Sequence, residues 1–156
     1  MRRPTKFIKH NYITLPLPPQ WEDESQVVVK GPRDGEFSPN CVCSREPRNS
    51  NETIAQFAAR QLPQLRRALQ SYAVVHEGET RFGDNSGFLR EHSFSMDRGE
   101  IAQLQFYMIS GEYVCTITFT HLLGKLNAVK PIAEQFFAHA KMDLYADRGL
   151  PSEVDA

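Results

Sequence analysis

The sequence predicts an α+β domain, an antiparallel β-sheet packed with helices. Three observations carry that expectation. β-branched and alternating runs fill the first third of the chain, an amphipathic helical period replaces them from Thr53, and four further strand-like runs precede a closing helical stretch near Asn127. At 156 residues the chain has the size of one domain, and with 40% of its residues hydrophobic it can fill a core without disulfides or a structural metal.

Residues 12–15 read as a short strand stopped by Pro16, Pro18 and Pro19, which cannot donate to a ladder. Trp21 then anchors a turn, and the acidic run Glu22, Asp23 and Glu24 beside it reads as solvated. In 25–30 the run Val27, Val28, Val29 argues for a second strand, ended by Gly31 and Pro32. After a loop through Gly35 to Pro39, residues 40–45 alternate as a third strand, broken by Pro47, Asn49, Ser50 and Asn51.

From Thr53 the period changes. Ile54, Phe57, Ala58, Gln61, Leu65, Ala68 and Leu69 recur at spacings that place them on one helical stripe, which Pro63 is expected to kink. Strands follow at 72–82, 88–96, 101–109 and 113–120, the last two joined as a hairpin through Ser110, Gly111 and Glu112. The final helix starts near Asn127, takes Pro131 in its first turn and carries Val129, Ile132, Ala133, Phe136 and Ala140 on one face. One domain over 1–146 and a polar, loose tail over 147–156 complete the expectation.

Charge and composition narrow the function classes. Eighteen Lys plus Arg against nineteen Asp plus Glu leave a formal charge of -1, so no field draws the chain to nucleic acid or an anionic membrane. Arg2, Arg3, Lys6 and Lys9 are followed by His10, Asn11 and prolines, not by the apolar stretch of a secretory signal, and no run approaches the ~20 apolar residues of a membrane helix. A soluble, cytoplasmic protein is expected, without membrane insertion. Three cysteines, an odd count, fit a reducing compartment. Cys41 and Cys43 share a strand face and read as small buried hydrophobes; half a metal site would need a second pair, and Cys115 stands far off in sequence. No metal and no cofactor are expected.

Catalytic constellations are thin. His10, His76, His92, His121 and His139 are scattered without metal-ligand spacing, and the chain has neither a phosphate-cradling glycine loop nor a nucleophile elbow. The informative signal is polarity out of place. Gln61 interrupts the apolar stripe of the first helix. On the strand from Ile101, Ala102, Leu104, Phe106 and Met108 form a core face, whereas Ile101, Gln103, Gln105, Tyr107 and Ile109 mix apolar groups with amides. In 25–30, Val27 and Val29 likewise oppose Gln26 and Val28. Such a face suits an apolar partner that also carries hydrogen-bonding groups; an ordinary, partly exposed sheet face is the alternative.

Four motifs carry a family likeness: WEDES at 21–25, PNCVCSRE at 39–46, AARQLPQL at 58–65 and QFYMISGEYVCTITFT at 105–120. Together they resemble the DcrB-like proteins, and within them the Eag chaperones that accompany type VI secretion effectors, Rhs-type toxins included. The likeness runs from about Tyr12 to Met142. It implies a PsbP-like α/β sandwich, a homodimer, no catalysis, and a groove that shields the N-terminal transmembrane helices of a PAAR-containing effector until it is loaded on the secretion spike. The groove residues it implies are Gln26, Val28, Gln61, Leu69, Ile101 and Gln105, with Gln26 an amide where an apolar side chain is expected. A carrier or sensor of a small lipophilic ligand in the same fold is the alternative function, and an unrecognised hydrolase a third.

Overall fold

The computed structural model describes residues 6–142 and 150–151. Its elements run β1 (Lys6–His10), β2 (Ile13–Leu17), β3 (Val27–Lys30), β4 (Asn40–Pro47), α1 (Ile54–Ala68), β5 (Gln70–Phe82), β6 (Asn85–Met96), β7 (Gly99–Ser110), β8 (Tyr113–Leu122), α2 (Leu126–His139) and β9 (Leu150–Pro151). This is the expected α+β class. The contacts divide into two compact units, Gln26–Lys141 and the segments flanking it. The tail expected over 147–156 lies outside the described residues except for Leu150 and Pro151.

In the flanking unit β1 pairs antiparallel with β2 and with β9. The basic run of β1 hid it from periodicity. β2 passes through Pro16, where the sequence reading stopped it, because an edge strand tolerates a residue without an N–H. The Trp21 N–H does close a turn on the Pro18 carbonyl at 3.1 Å. Trp21 is 72% exposed, so its side chain does not bury itself to anchor the turn as expected.

The larger unit is a six-stranded antiparallel sheet in the order β3-β4-β8-β7-β6-β5. Residues directly opposite one another share a face, so the register sorts every side chain. One face gathers Cys41, Leu104, Phe106, Met108, Cys115, Ile117 and Phe119 into the main core, closed by α2 through Leu126, Ala133 and Phe137. Phe82, Phe106 and Phe137 stack there with ring centres 5.1 to 5.3 Å apart. Two expectations for α2 change. The helix starts at Leu126, so Pro131 falls in its second turn, and Ile132 is half-exposed while Phe137 takes the core position.

The other face carries α1. Thr53 caps the helix in a reciprocal capping box with Gln56, and the expected stripe brings Phe57 and Ala58 onto Tyr107 and Val114. The Phe57 and Tyr107 rings meet edge-on at 5.3 Å. The two helices therefore cover opposite faces of the sheet. The sheet's ends also differ: β5 carries register shifts near Ala73 and Val74, whereas β3 is short, regular and exposes Val27, Val28 and Val29.

Candidate functional site

The α1 face is built in rows that cross the strands. One row reads Glu77, Arg90, Gln105, Thr118, Val42, Val28 from β5 to β3. A neighbouring row reads Val74, His92, Gln103, Thr120, Asn40, Lys30. Polar residues two apart, Arg90 and His92, Gln105 and Gln103, Thr118 and Thr120, thus meet across the three strands β6, β7 and β8.

Arg90 is 1% exposed and fully employed. Its Nε donates to Glu77 at 2.9 Å, Nη1 to the Tyr107 hydroxyl at 3.0 Å, and Nη2 to the Ala58 carbonyl of α1 at 2.8 Å. The guanidinium so ties the helix to the sheet. The Tyr107 hydroxyl passes the chain on to Gln105 Oε1 at 2.6 Å, and Gln105 Nε2 donates to Thr118 at 3.3 Å. Burial pushes the Tyr107 phenol upward, so it stays a donor.

A second chain runs through His92. Gln103 Nε2 donates to Thr120 at 3.0 Å, which turns its Oε1 towards His92 Nε2 at 2.8 Å. That nitrogen must then carry the hydrogen, leaving Nδ1 to accept from the Tyr72 hydroxyl at 2.7 Å. Electrostatics agree. Burial, only partly opposed by Gln103, pulls the imidazole below its ordinary value, and burial pushes the Tyr72 phenol up to about 12. A neutral His92 is locked in one tautomer.

Between α1 and this face lies a cleft of about 220 Å³ lined by Ser44, Arg45, Glu46, Gln61, Leu65, Gln105, Tyr107, Thr116 and Thr118. Gln61 Nε2 donates to Glu46 at 2.7 Å, bridging the helix to β4. Of the residues the sequence reading singled out, Gln61 and Gln105 meet in this cleft. Val28 lies farther along the Gln105 row and is 62% exposed; Gln26 precedes β3 and is exposed. Leu69 is the half-buried C-cap of α1. Ile101 shares the face but is 2% exposed and paired with Phe94 and Leu122, so it offers no free surface. Tyr107 is on the amphipathic face that the sequence shows on β7, but Arg90 and the hydroxyls of Ser44, Thr116 and Thr118 are not singled out there; for the two threonines the alternation of β8 is the one local signal.

The polar groups that meet here are amides, hydroxyls, the Glu46 carboxylate and the Arg45 guanidinium. They can pair with a ligand's polar groups, and no thiol, imidazole or ammonium lines the cleft to attack one. Among the described residues no cluster of His, Cys, Asp and Glu could hold a metal ion.

The DcrB family model matches residues 13–128, a span that contains every residue of the cleft. The chain belongs to the DcrB family. Comparison with curated proteins returns no match. Among solved structures, this DcrB-family chain is similar to PA94 of Pseudomonas aeruginosa, a protein of unknown function, at 18% identity and a TM-score of 0.75 over 90% of this chain and 99% of that one. It is also similar to LpqN, involved in cell envelope biogenesis of Mycobacterium tuberculosis, at 12% identity and a TM-score of 0.51 over 78% and 85% of the two chains. The cyanobacterial PsbP protein of Synechocystis gives 12% identity and a TM-score of 0.49 over 80% and 82%. At these identities the first two likenesses establish the fold.

Proposed function

We propose that this DcrB-family protein is a binding protein of the chaperone kind, which covers an apolar helical segment of a protein partner with its α1 face. Following the likeness to Eag chaperones, the cargo is the N-terminal transmembrane helices of a type VI secretion effector, held in the cytoplasm by a homodimer without catalysis. A membrane helix satisfies its own backbone but aggregates in water unless another apolar surface covers it.

The observation that carries this reading is the meeting of Gln61 and Gln105 in a cleft whose row continues to Val42 and the exposed Val28. Valines supply apolar area. Amides and hydroxyls hydrogen-bond small polar groups on the cargo, as neighbouring helices do in a bilayer, each bond contributing roughly 1 kcal/mol. The cleft weighs against a lipophilic carrier on two counts. At about 220 Å³ it is smaller than the roughly 300–1,000 Å³ of small-molecule sites, and its lining is mainly polar. A recess of that size takes side chains of a segment lying across it.

Co-expression tests the proposal. An effector fragment with its membrane helices should stay soluble with this chain and precipitate without it, and a fragment trimmed of those helices should not bind. Val28→Glu should abolish capture while leaving the fold intact, because the side chain is exposed and a carboxylate against a membrane helix loses hydration unpaired. Equal capture of the trimmed fragment would defeat the proposal.

A further inference from the structure

On the α2 face two free thiols touch. Cys43 Sγ on β4 and Cys115 Sγ on β8 lie 3.1 Å apart, although the residues are distant in sequence. They sit diagonally on neighbouring strands, two residues out of register on the same face, Cys43 paired with Ile117 and Cys115 with Arg45. Cys115 is fully buried and Cys43 only half-buried, so a reagent arriving from solvent meets Cys43 first. We propose that Cys43 and Cys115 form a redox-active dithiol, in which a hydroperoxide oxidises Cys43 and Cys115 resolves the product as a disulfide joining β4 to β8.

The chemistry balances with the hydroperoxide as oxidant. The Cys43 thiolate attacks the terminal peroxide oxygen, the O–O bond breaks, and the leaving alkoxide takes up a proton to become an alcohol. Cys43 is then a sulfenic acid. The Cys115 sulfur attacks the Cys43 sulfur, forming the S–S bond and expelling hydroxide, which leaves as water with the proton of Cys115. Two thiols lose two electrons in all, and the peroxide gains them.

The environment divides the roles. The hydrogen bond from Cys115, against the opposing effect of burial, brings the Cys43 thiol down to about 7. The same bond and burial push Cys115 up, so the buried partner keeps its proton until its turn. Burial pushes Cys41, two residues along β4, up to about 11, which leaves it the least reactive on that strand. Closing 3.1 Å to the ~2.05 Å of a disulfide asks for about 1 Å of movement. The bond would lie under the cleft, since Ser44 and Thr116, sequence neighbours of the two cysteines, pair across the strands and line it.

The test uses the reduced full-length chain and hydrogen peroxide at stoichiometric amounts. Free thiols titrated after denaturation should fall from the three present to one, the intact mass should drop by two hydrogens, and digestion should yield a peptide linking Cys43 to Cys115. Cys41→Ala should form the same link, which assigns it. In Cys115→Ala, a dimedone reagent should trap the Cys43 sulfenic acid; should that variant fail to fold, the wild-type map decides alone. Three thiols surviving, oxygen added without loss of hydrogen, or a link made by Cys41 would each overturn the proposal.

Discussion

The two faces of the six-stranded sheet bury side chains by different means. Under α2, Phe82, Phe106 and Phe137 fill space with carbon, and apolar packing dominates the fit. Under α1, Arg90, Tyr107 and His92 are as deeply buried, and each is held by named hydrogen bonds. A carbon core tolerates exchange of one apolar shape for another of equal volume. A polar core fixes position, because a misplaced donor is left without a partner. The cleft opens on the polar face, so its fixed amides stand where a partner can reach them.

The contrast can be broken most strongly on the carbon side. Phe106→Ala removes a fully buried ring between Phe82 and Phe137 and should cost about 3–5 kcal/mol in denaturant unfolding, while Phe106→Leu recovers most of that. On the polar side Arg90→Met should cost about 2–3 kcal/mol, because the Tyr107 hydroxyl loses a buried donor while Glu77, 38% exposed, regains water. Arg90→Lys should not restore stability, since an ammonium cannot reach the three acceptors that the guanidinium fork serves. A loss below about 1 kcal/mol for the Met variant would reduce the network to packing.

A smaller effect sharpens the comparison through pH. The native site holds His92 neutral, with a lowered pKa, while the unfolded chain takes up a proton near the ordinary value of about 6.5. Below that pH the unfolded state binds more protons than the native state, so stability falls as pH drops, until the native imidazole itself titrates. Unfolding free energies at about pH 7.5 and about pH 5.5 should show that fall, and His92→Gln should flatten it. Asp23, Asp34 and Glu52, whose carboxyls are all held below their ordinary values, titrate at lower pH, while the Cys43 thiol, brought down to about 7, shares the window, so the difference between wild type and His92→Gln carries the test. The smallest effect is expected of Gln61→Ala, about 0.5 kcal/mol in stability for a half-exposed bond to Glu46, with a larger loss in cargo capture. A larger loss in stability than in capture would make that amide part of the scaffold.

Much of the fold was legible because local periods agree with the final packing. The stripe from Ile54 to Leu65 placed α1, and the alternation from Ile101 to Ile109 separated the two faces of β7 correctly. Periodicity could not say which face is covered, so Tyr107, read as part of an open amphipathic face, lies under α1. Ile132 and Phe137 both fit a helical stripe, and only the position of the sheet chooses between them. The amides Gln61 and Gln105 were visible as polarity out of place, yet Arg90 was not, because its partners come from β5, β7 and α1. Cys115 was hidden for the same reason, since its neighbour Cys43 lies on a distant segment of the chain.

The strand order sets a sequence of events in time. Strands β5 to β8 are successive hairpins whose contacts close short loops, whereas β4 reaches β8 only across a long stretch of chain, from Pro47 to Tyr113 at one end of the ladder and from Asn40 to Thr120 at the other. The meander can nucleate by itself, and the β3–β4 ribbon should dock late, after α1 has already been anchored through Arg90 to β6. Substitutions at Cys41 should therefore quicken unfolding and leave the refolding rate nearly unchanged, which stopped-flow chevrons can read. Slower refolding would instead place β4 in the nucleus. If docking is late, the cleft is the last part of the molecule to exist during synthesis and the first to be lost under stress, since its floor joins β4 to β8.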